Sequence, residues 1–582
     1  MLLASPLRLH LHFYTRNPIN ISPTSPILAA FGNRVGSCRI LMAMNSSFLS
    51  SSRSSGSSIG CGSSDGVEGG GVASRFWLKF TREAIFAKYT RFVVAMASGT
   101  LDTSAYKHYI LQDFHFLKAF AHAYELAYDC ADDDDAKEAI SNLRSSVIKE
   151  LNLHNALAND WGVDLSEGDV NPSTIKYTDF LLSTATGKVD GVKSIGRLAT
   201  PFERTKVAAY TISAMTPCMR LYAFIGNELQ HFITSSHPYK HWVDTYSSDA
   251  FSASARQTED LLDKLSVSLT GEELDVMEHL YHQAMKLEIE FFNAQPLSSS
   301  SNHPLASRHV ADKVVVFSDF DLTCTVVDSS AILAEIAIRT GTGEDLRATW
   351  DSLSAKYTEE YEQCIEGIVN REAVEFDYDV LYKALEPLSE FEKLANTMVV
   401  ESGVLKGINL DDVRKAGEKL QLQNGCVSFF QSVGRVRVLS YCWCGDLVRS
   451  ALGSLDDVEI YANEFVHEGM ISNGEIVRHV ESPWDKVAAF DRLKEEGGLA
   501  VYIGDSLGDL LGLVRADVGI VVGNSVSLRR VGERFGVRFE PLFDCLVRKE
   551  REGGKDWKPL GGVLYTVSSW SEIHAFVLGW SV

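Results

Sequence analysis

Four short apolar segments in the second half of the chain each end abruptly in polar residues, and this repeated pattern limits the fold more than any other feature. The segments are VVVFSDFD, RVRVLSYCW, LAVYIGDSLGD and VGIVVGN, which begin at Val314, Arg435, Leu499 and Val518. Helical patterns lie between them. Strands that alternate with helices are typical of a parallel sheet covered by helices. Residues 313–582 are therefore predicted to form an α/β domain with a Rossmann-like core.

Two acids follow the first segment, one residue apart. Asp319 and Asp321 would repel each other in a buried site unless a positive charge lay between them. In open α/β sheets the functional site lies at the carboxyl ends of the strands. The other segments place polar groups at the same edge, because Ser440 ends the second and Asp505 and Asp509 follow the third. We therefore expect a cluster of carboxylates that binds Mg²⁺.

The same residues indicate phosphoryl transfer. A carboxylate such as Asp319 can attack phosphorus and form an aspartyl-phosphate. Asp321 can protonate the leaving alcohol and later deprotonate water. Ser440, and Lys486 at the start of a helix just before the third segment, can bind the other phosphate oxygens. Each signal is weak by itself, but DxDxT, Ser, Lys and GDxxxD in this order predict a Mg²⁺-dependent phosphatase.

This combination resembles the haloacid-dehalogenase-like phosphatase superfamily over residues 313–582. The resemblance implies that Asp319 is the nucleophile and a Mg²⁺ ligand. It implies that Asp321 is the general acid and base, and that its main-chain carbonyl reaches the metal. The remaining residues would bind phosphate or support the metal: Ser440 and Lys486 for phosphate, Asp505 as a Mg²⁺ ligand, and Asp509 in support of the metal site or of Lys486.

A segment with helical patterns follows the first motif, from about residue 329 to about residue 425. The superfamily places a helical cap here, which covers the site and selects the substrate. Trp350, Tyr357 and Tyr361 could stack on a ring, although aromatic residues at helical spacing are more often core residues. No pattern in the cap identifies the substrate.

Residues 76–294 have helical periodicity instead, and three of their apolar stripes carry a reactive side chain: Asp113, Cys218 and Glu288. An ionised Asp on an apolar face is costly unless it is paired, and a lone buried Cys is usually structural. The three together predict an enclosed pocket with a thiol, two carboxylates and aromatic walls. Such a pocket suits a flat heteroaromatic ligand.

This region resembles the TenA (thiaminase II) family, an all-α bundle that hydrolyses thiamin-derived aminopyrimidines. The resemblance rests on FTREAIFAKYTRFVVAMASGTL, the pair Gln112-Asp113, the Pro-Cys pair in MTPCMRLY, the stretch HWVDTYSSDAF, and Glu288 to Phe291. It implies an all-α domain over residues 76–294. It also implies association through this domain, often as a tetramer.

The TenA resemblance assigns roles to individual residues. Cys218 would be the nucleophile that adds to the pyrimidine ring, Glu288 would move protons to and from a ring nitrogen, and Asp113 would hold the amino side of the ring. The residues that would line or polarise the pocket are Phe116, Tyr177 and Tyr246. Some relatives have Tyr in place of Phe116, and relatives often have Trp in place of Phe292.

The two ends of the helical region differ in composition. Residues 1–64 contain no Asp or Glu but five Arg, and a Ser-rich stretch and a Gly run follow. This is typical of an organelle transit peptide, so residues 1–75 predict a mitochondrial protein, with a plastid as the alternative. A start at Met42 or Met44 would leave a cytosolic form. Residues 295–312 are Ser- and Pro-rich, and this linker is long enough for two independent domains.

Composition excludes several other classes of protein. The net charge of −22 argues against a nucleic-acid binder, and no apolar run is long enough to span a membrane. The ten cysteines show no zinc spacing and favour a reducing compartment. The predicted partners are therefore small molecules.

Together the two regions are similar to the plant family of bifunctional TenA–phosphatase proteins of thiamin metabolism. The resemblance implies dephosphorylation of thiamin monophosphate and hydrolysis of aminopyrimidines to hydroxymethylpyrimidine and ammonia. Three alternatives remain at this point. They are a phosphatase for a nucleotide or pyridoxal-type phosphate, a TenA-like domain that only binds a ligand, and a scaffold without turnover.

Overall fold

The structure is a computed structural model that describes residues 70–165, 168–189, 201–297, 304–305, 314–340, 345–453, 455, 457–553 and 561–580. The predicted transit segment, including Met42 and Met44, lies outside the described residues except for residues 70–75. Most of the predicted linker also lies outside them.

Ten α-helices make up the first described region. They are α1 (Val72–Lys79), α2 (Thr81–Lys88), α3 (Arg91–Ser98), α4 (Thr103–Cys130), α5 (Asp134–Trp161), α6 (Pro172–Ala185), α7 (Pro201–Leu229), α8 (Lys240–Tyr246), α9 (Asp249–Ser266) and α10 (Gly271–Asn293). Local sequence explains several of their boundaries. Asn171 caps α6 and Pro172 takes its first position, whereas Thr270 and Glu273 form a capping box at the start of α10.

The second region contains a seven-stranded sheet and a two-stranded one. Its strands are β1 (Val314–Ser318), β2 (Val436–Leu439), β3 (Val458–Tyr461), β4 (Glu464–Glu468), β5 (Ile471–Val477), β6 (Leu499–Gly504), β7 (Val518–Val522), β8 (Arg538–Pro541) and β9 (Val563–Val567). The large sheet has the order β3-β2-β1-β6-β7-β9-β8, and its strand pairs are parallel. The four predicted segments are β1, β2, β6 and β7. The first of these, β1, is third in the order, between β2 and β6, and is fully buried.

Helices surround this sheet and cover the edge at which its strands end. They are α11 (Ser329–Thr340), α12 (Leu346–Val369), α13 (Tyr378–Ala384), α14 (Glu386–Glu401), α15 (Leu410–Glu418), α16 (Cys426–Val433), α17 (Gly445–Leu452), α18 (Pro483–Leu493), α19 (Leu510–Arg515), α20 (Val526–Arg534), α21 (Leu542–Arg551) and α22 (Trp570–Val577). The first five, α11 to α15, follow β1 directly and form the predicted cap. The predicted fold class is thus confirmed: an all-α bundle, then an α/β core with a helical cap.

The helical region and the sheet region contact each other directly. The Tyr89 hydroxyl donates to Glu572 Oε2 at 3.0 Å, and Arg551 Nε donates to the Ser98 carbonyl at 3.2 Å. Phe86 packs edge-to-face against Trp580, with ring centroids 5.2 Å apart. The two regions therefore share an interface, because a long linker permits separation but does not oppose apolar packing between neighbours.

No described helix is both long and apolar enough to cross a bilayer. The eight cysteines within the described ranges are all free thiols, which agrees with the predicted reducing compartment.

One glycine shows how closely the helices of the bundle approach. A Cβ atom at Gly226 in α7 would lie 2.6 Å from the Tyr246 carbonyl carbon at the end of α8. Gly226→Ala is expected to lower the free energy of unfolding by about 1–3 kcal/mol through overpacking. Gly367, inside α12 with no atom within 4 Å of the corresponding position, is the matched control. Gly367→Ala is expected to raise the free energy of unfolding by up to about 1 kcal/mol. Denaturant unfolding of both variants measures these two changes. Equal changes in the free energy of unfolding for the two variants would contradict the close approach of α7 and α8 at Gly226.

Candidate active sites

A buried lysine joins two carboxylates at the carboxyl edge of the large sheet. Lys486 Nζ in α18 donates to Asp319 Oδ1 and to Asp509 Oδ1, each at 2.7 Å. All three side chains are almost completely inaccessible. Strands β1 and β6 are adjacent, and Asp319 N donates to the Ile503 carbonyl at 2.9 Å. The sheet register therefore positions Asp319 beside Asp505 and Asp509.

The three carboxylates form a cluster that fits a divalent cation. One oxygen from each of Asp319, Asp505 and Asp509 lies within 4.8 Å of the other two. Asp319 Oδ2 is buried and has no hydrogen-bond partner among the described residues. Burial and the charge of Asp509 raise the pKa of Asp319 well above its usual range, and the Lys486 charge offsets this only in part. A hard cation with oxygen ligands would remove that repulsion, so the donor set fits Mg²⁺.

Asp321 is not a member of this cluster. Its carboxylate accepts hydrogen bonds from Ser329 N at 2.7 Å and Ser329 Oγ at 3.0 Å, at the start of α11. Burial and the charge of Asp328 raise the pKa of Asp321 to about 8. Directly after the two acids, Leu322 has φ 61°, a left-handed value that no other non-glycine residue in the described ranges adopts. This strain accompanies the sharp turn that presents two acids from one strand end.

The hydroxyl groups of the site are also held by hydrogen bonds. Ser440, at the end of β2, accepts a hydrogen bond from Cys442 N at 2.9 Å through its side chain. Thr323 Oγ1 donates to Asp505 Oδ1 at 2.9 Å. Asp509 is held by Ser506 Oγ at 2.7 Å and by Tyr502 OH at 3.2 Å. The residues predicted from the sequence are thus arranged around the ends of β1, β2 and β6.

The second candidate site lies inside the helical bundle. Cys218 in α7 lies close enough to Glu288 in α10 for the two to affect each other's pKa, and the Tyr177 hydroxyl in α6 donates to Glu288 Oε1 at 2.8 Å. Burial raises the pKa of Glu288 to about 8, although the hydrogen bond from Tyr177 and the nearby Cys218 thiol lower it. Burial and the nearby Glu288 charge also raise the pKa of the Cys218 thiol. Glu288 is therefore largely protonated at neutral pH.

A small cavity adjoins this group. Asp113, Phe116, Cys218 and Tyr246 contribute to its wall. Phe116 also packs against the ring of Tyr177, with centroids 4.7 Å apart. The structure therefore brings the six residues predicted for the helical domain into one cluster.

The sequence prediction missed two members of this cluster. His154 Nε2 in α5 lies 2.7 Å from Asp113 Oδ2, and the Tyr246 hydroxyl donates to Glu150 Oε1 at 3.0 Å. Burial lowers the pKa of His154, but the hydrogen bond and charge of Asp113 and the charge of Glu150 outweigh it and raise the pKa to about 9. A signal was present, because His154 lies on the buried stripe of α5, as Asp113 does on that of α4.

Comparison with known proteins agrees with this architecture. Residues 85–189 and 193–296 match the model of the TENA/THI-4/PQQC family. The bifunctional TH2 protein of Arabidopsis thaliana, named as mitochondrial, is 53% identical over 99% of this chain and 96% of its own length. The aminopyrimidine aminohydrolase of Halalkalibacterium halodurans is 26% identical over 35% of this chain and 85% of its own length.

The chain belongs to the bifunctional TH2 protein family. The high identity extends over the whole chain, so membership covers both the helical and the sheet region. The name of the Arabidopsis protein describes it as bifunctional, which agrees with the two separate candidate sites of this chain. The mitochondrial name of the Arabidopsis protein agrees with the prediction made from residues 1–75.

The ion pair of His154 and Asp113 predicts a pH-dependent contribution to stability. Since the pKa of His154 is about 9 when folded, against 6.5 as the ordinary value, the stabilisation is complete below about pH 6.5. It is lost as the pH rises through about 9. His154→Ala is expected to lower the free energy of unfolding by about 3–5 kcal/mol at pH 6, and by clearly less at pH 10.

Denaturant unfolding at both pH values measures this effect. His122→Ala is the matched control, because the His122 side chain on α4 is 55% exposed and pairs only with surface Glu125; a change within about 0.5 kcal/mol is expected. If His154→Ala lowered the free energy of unfolding equally at pH 6 and pH 10, the ion pair would be ruled out as the cause.

Proposed function

We propose that the sheet region dephosphorylates thiamin monophosphate and that the helical region hydrolyses thiamin-derived aminopyrimidines. The unpartnered Asp319 Oδ2, beside a lysine and two further carboxylates, carries the phosphatase assignment. The fusion itself supports the substrate. Thiamin contains an aminopyrimidine ring, and the helical region is similar to an aminopyrimidine aminohydrolase.

In the phosphatase reaction, Asp319 Oδ2 attacks phosphorus and the P–O bond to the alcohol breaks. Asp321, whose pKa of about 8 keeps it protonated at neutral pH, gives its proton to the leaving oxygen. It then takes a proton from the water that hydrolyses the aspartyl-phosphate. Lys486 and Ser440 bind phosphate oxygens. Asp319, Asp505 and the Asp321 main-chain carbonyl would hold Mg²⁺, which neutralises phosphate charge when bound, with Asp509 in support.

In the helical domain, Glu288 gives its proton to a ring nitrogen and receives the proton of Cys218. The thiolate then adds to the ring carbon that this protonation makes electrophilic. The amine of the ring's aminomethyl group takes the proton that Glu288 received and leaves as ammonia. Water bonds through its oxygen to the methylene carbon and returns a proton to Glu288. The C–S bond then breaks, the proton on the ring nitrogen goes back to Cys218, and hydroxymethylpyrimidine is left. Asp113, fixed by His154, holds the amino group of the ring, between the walls formed by Phe116, Tyr177 and Tyr246. Association of copies through this domain remains part of the proposal.

Removal of the phosphatase nucleophile provides the first test. Asp319→Asn in the full chain is expected to reduce phosphate release from thiamin monophosphate by at least about 1000-fold, and chelation should abolish release by the wild type. Asp351→Asn, at an exposed position of the cap, is the control and should leave the rate unchanged. If phosphate were released faster from a nucleotide or pyridoxal phosphate than from thiamin monophosphate, the proposed substrate would be refuted and the proposed mechanism would stand.

The pKa of Glu288 provides the second test. Because Glu288 must begin protonated, kcat/KM for ammonia release from an aminopyrimidine should fall as the pH rises through about 8. Tyr177→Phe removes a hydrogen bond that lowers this pKa, so the fall should move to higher pH. Tyr128→Phe, at an exposed position on α4, should leave the profile in place. An unchanged profile in Tyr177→Phe would exclude Glu288 as the titrating group.

Cys218→Ser distinguishes an enzyme from a ligand-binding domain. Ammonia release should disappear in this variant while phosphate release from thiamin monophosphate continues. Full retention of ammonia release would show that the helical domain of this protein does not use a cysteine nucleophile.

A further inference from the structure

Two cap helices bury aromatic and polar side chains on the faces that they turn toward the interior of the cap. On α12, the buried residues Trp350, Ser354, Tyr357 and Tyr361 follow one another at helical spacing. On α14, the buried residues Ser389, Glu392 and Asn396 do the same. The two faces meet where the Tyr357 hydroxyl donates to Glu392 Oε1 at 2.8 Å. A buried carboxylate among aromatic rings is costly, which makes this cluster conspicuous within the cap.

The cluster lies next to the catalytic edge of the sheet. Trp443, in the loop after β2, donates through Nε1 to Asn396 Oδ1 at 3.0 Å, one turn from Glu392. Its ring also packs edge-to-face against Trp350, with centroids 6.3 Å apart. Tyr441 in the same loop places its ring over Lys486, with Nζ 4.4 Å from the centroid. This loop therefore contacts both the helix face that carries Glu392 and the lysine that binds Asp319.

Electrostatics connects Glu392 to that loop as well. After burial and the charge of Asp509, the charge of Glu392 is the next cause that raises the pKa of Tyr441. The negative potential of the cap carboxylate thus reaches the ring that covers the catalytic lysine.

Two hydroxyl groups on these faces have unused hydrogen-bonding capacity. Ser354 Oγ on α12 and Ser389 Oγ on α14 are buried, and neither has a hydrogen-bond partner among the described residues. Ser389 lies one turn before Glu392, and Ser354 lies one turn before Tyr357. Buried polar atoms are usually satisfied, so these two indicate a polar ligand between the helices.

We propose that Glu392 is the residue by which the cap selects a phosphomonoester with a cationic leaving group. The leaving group would lie among Trp350, Tyr357 and Tyr361, whose faces attract a cation, with its positive charge toward Glu392. Anionic leaving groups, such as a hydroxy acid, are repelled by the same carboxylate. The inference rests on the proposed phosphatase function and specifies it, because the thiazolium ring of thiamin carries this charge.

The test compares two substrates of the same shape that differ in charge. Phosphocholine has a cationic leaving group, and 3,3-dimethylbutyl phosphate is its uncharged isostere. With the full-length protein and Mg²⁺, Glu392→Gln should lower kcat/KM for phosphocholine and for thiamin monophosphate by about 10- to 100-fold, mainly through KM. The rate with dimethylbutyl phosphate should stay within about threefold, and this also shows that the variant is folded.

Glu390→Gln is the matched control, because Glu390 lies on the same helix with its side chain exposed. It should change no rate. Equal losses of Glu392→Gln on the cationic and uncharged substrates would show a structural role and overturn the inference. The inference would also be overturned if the wild-type enzyme preferred neither thiamin monophosphate nor phosphocholine over dimethylbutyl phosphate.

The same experiment separates this inference from the proposed substrate. If the wild type leaves thiamin monophosphate intact, the proposed function fails. The isosteric pair then decides the inference alone: a selective loss for phosphocholine in Glu392→Gln supports it, and any other result overturns it.

Discussion

The buried ion pairs of Lys486 hold the phosphatase site together. Its ammonium group is bonded to Asp319 after β1 and to Asp509 after β6, and so links two adjacent strand ends through one helix. Removal of a single partner would leave an uncompensated buried charge, which costs several kcal/mol. The arrangement of the sheet edge thus depends on this lysine. A third carboxylate, Asp505, adds negative charge that one lysine does not balance, and the site is therefore electrostatically prepared for a cation.

The helical site solves a related problem in a different way. Its three acids do not share one cation: Asp113 pairs with His154, Glu150 accepts from Tyr246, and Glu288 is kept protonated by burial. Different environments therefore assign different charge states to chemically similar groups. Such a division suits a reaction in which one acid holds the ligand and another transfers a proton. The phosphatase site needs the opposite, several charged carboxylates around one point.

The contact between the two regions gives the fusion a structural basis. Tyr89 and Arg551 bond across the boundary, and Phe86 packs on Trp580. The two regions therefore share an interface as well as a linker. Neither candidate site lies at this boundary, since the phosphatase residues line the sheet edge beneath the cap and the helical cluster lies within the bundle. The interface accordingly positions the regions without contributing a reactive group.

The sequence by itself determined the fold class and most residues of both sites. Strand ends in a parallel sheet lie at one edge by geometry, so Asp319, Ser440 and Asp505 could be placed together from pattern alone. Acids on apolar stripes likewise identified Asp113 and Glu288. Only the tertiary structure decided which helices face one another. It brought His154 to Asp113 from a helix whose own pattern is that of an ordinary amphipathic one. It also placed the helix face that carries Glu392 against the loop after β2, because a helical period fixes which face is buried but not what that face meets.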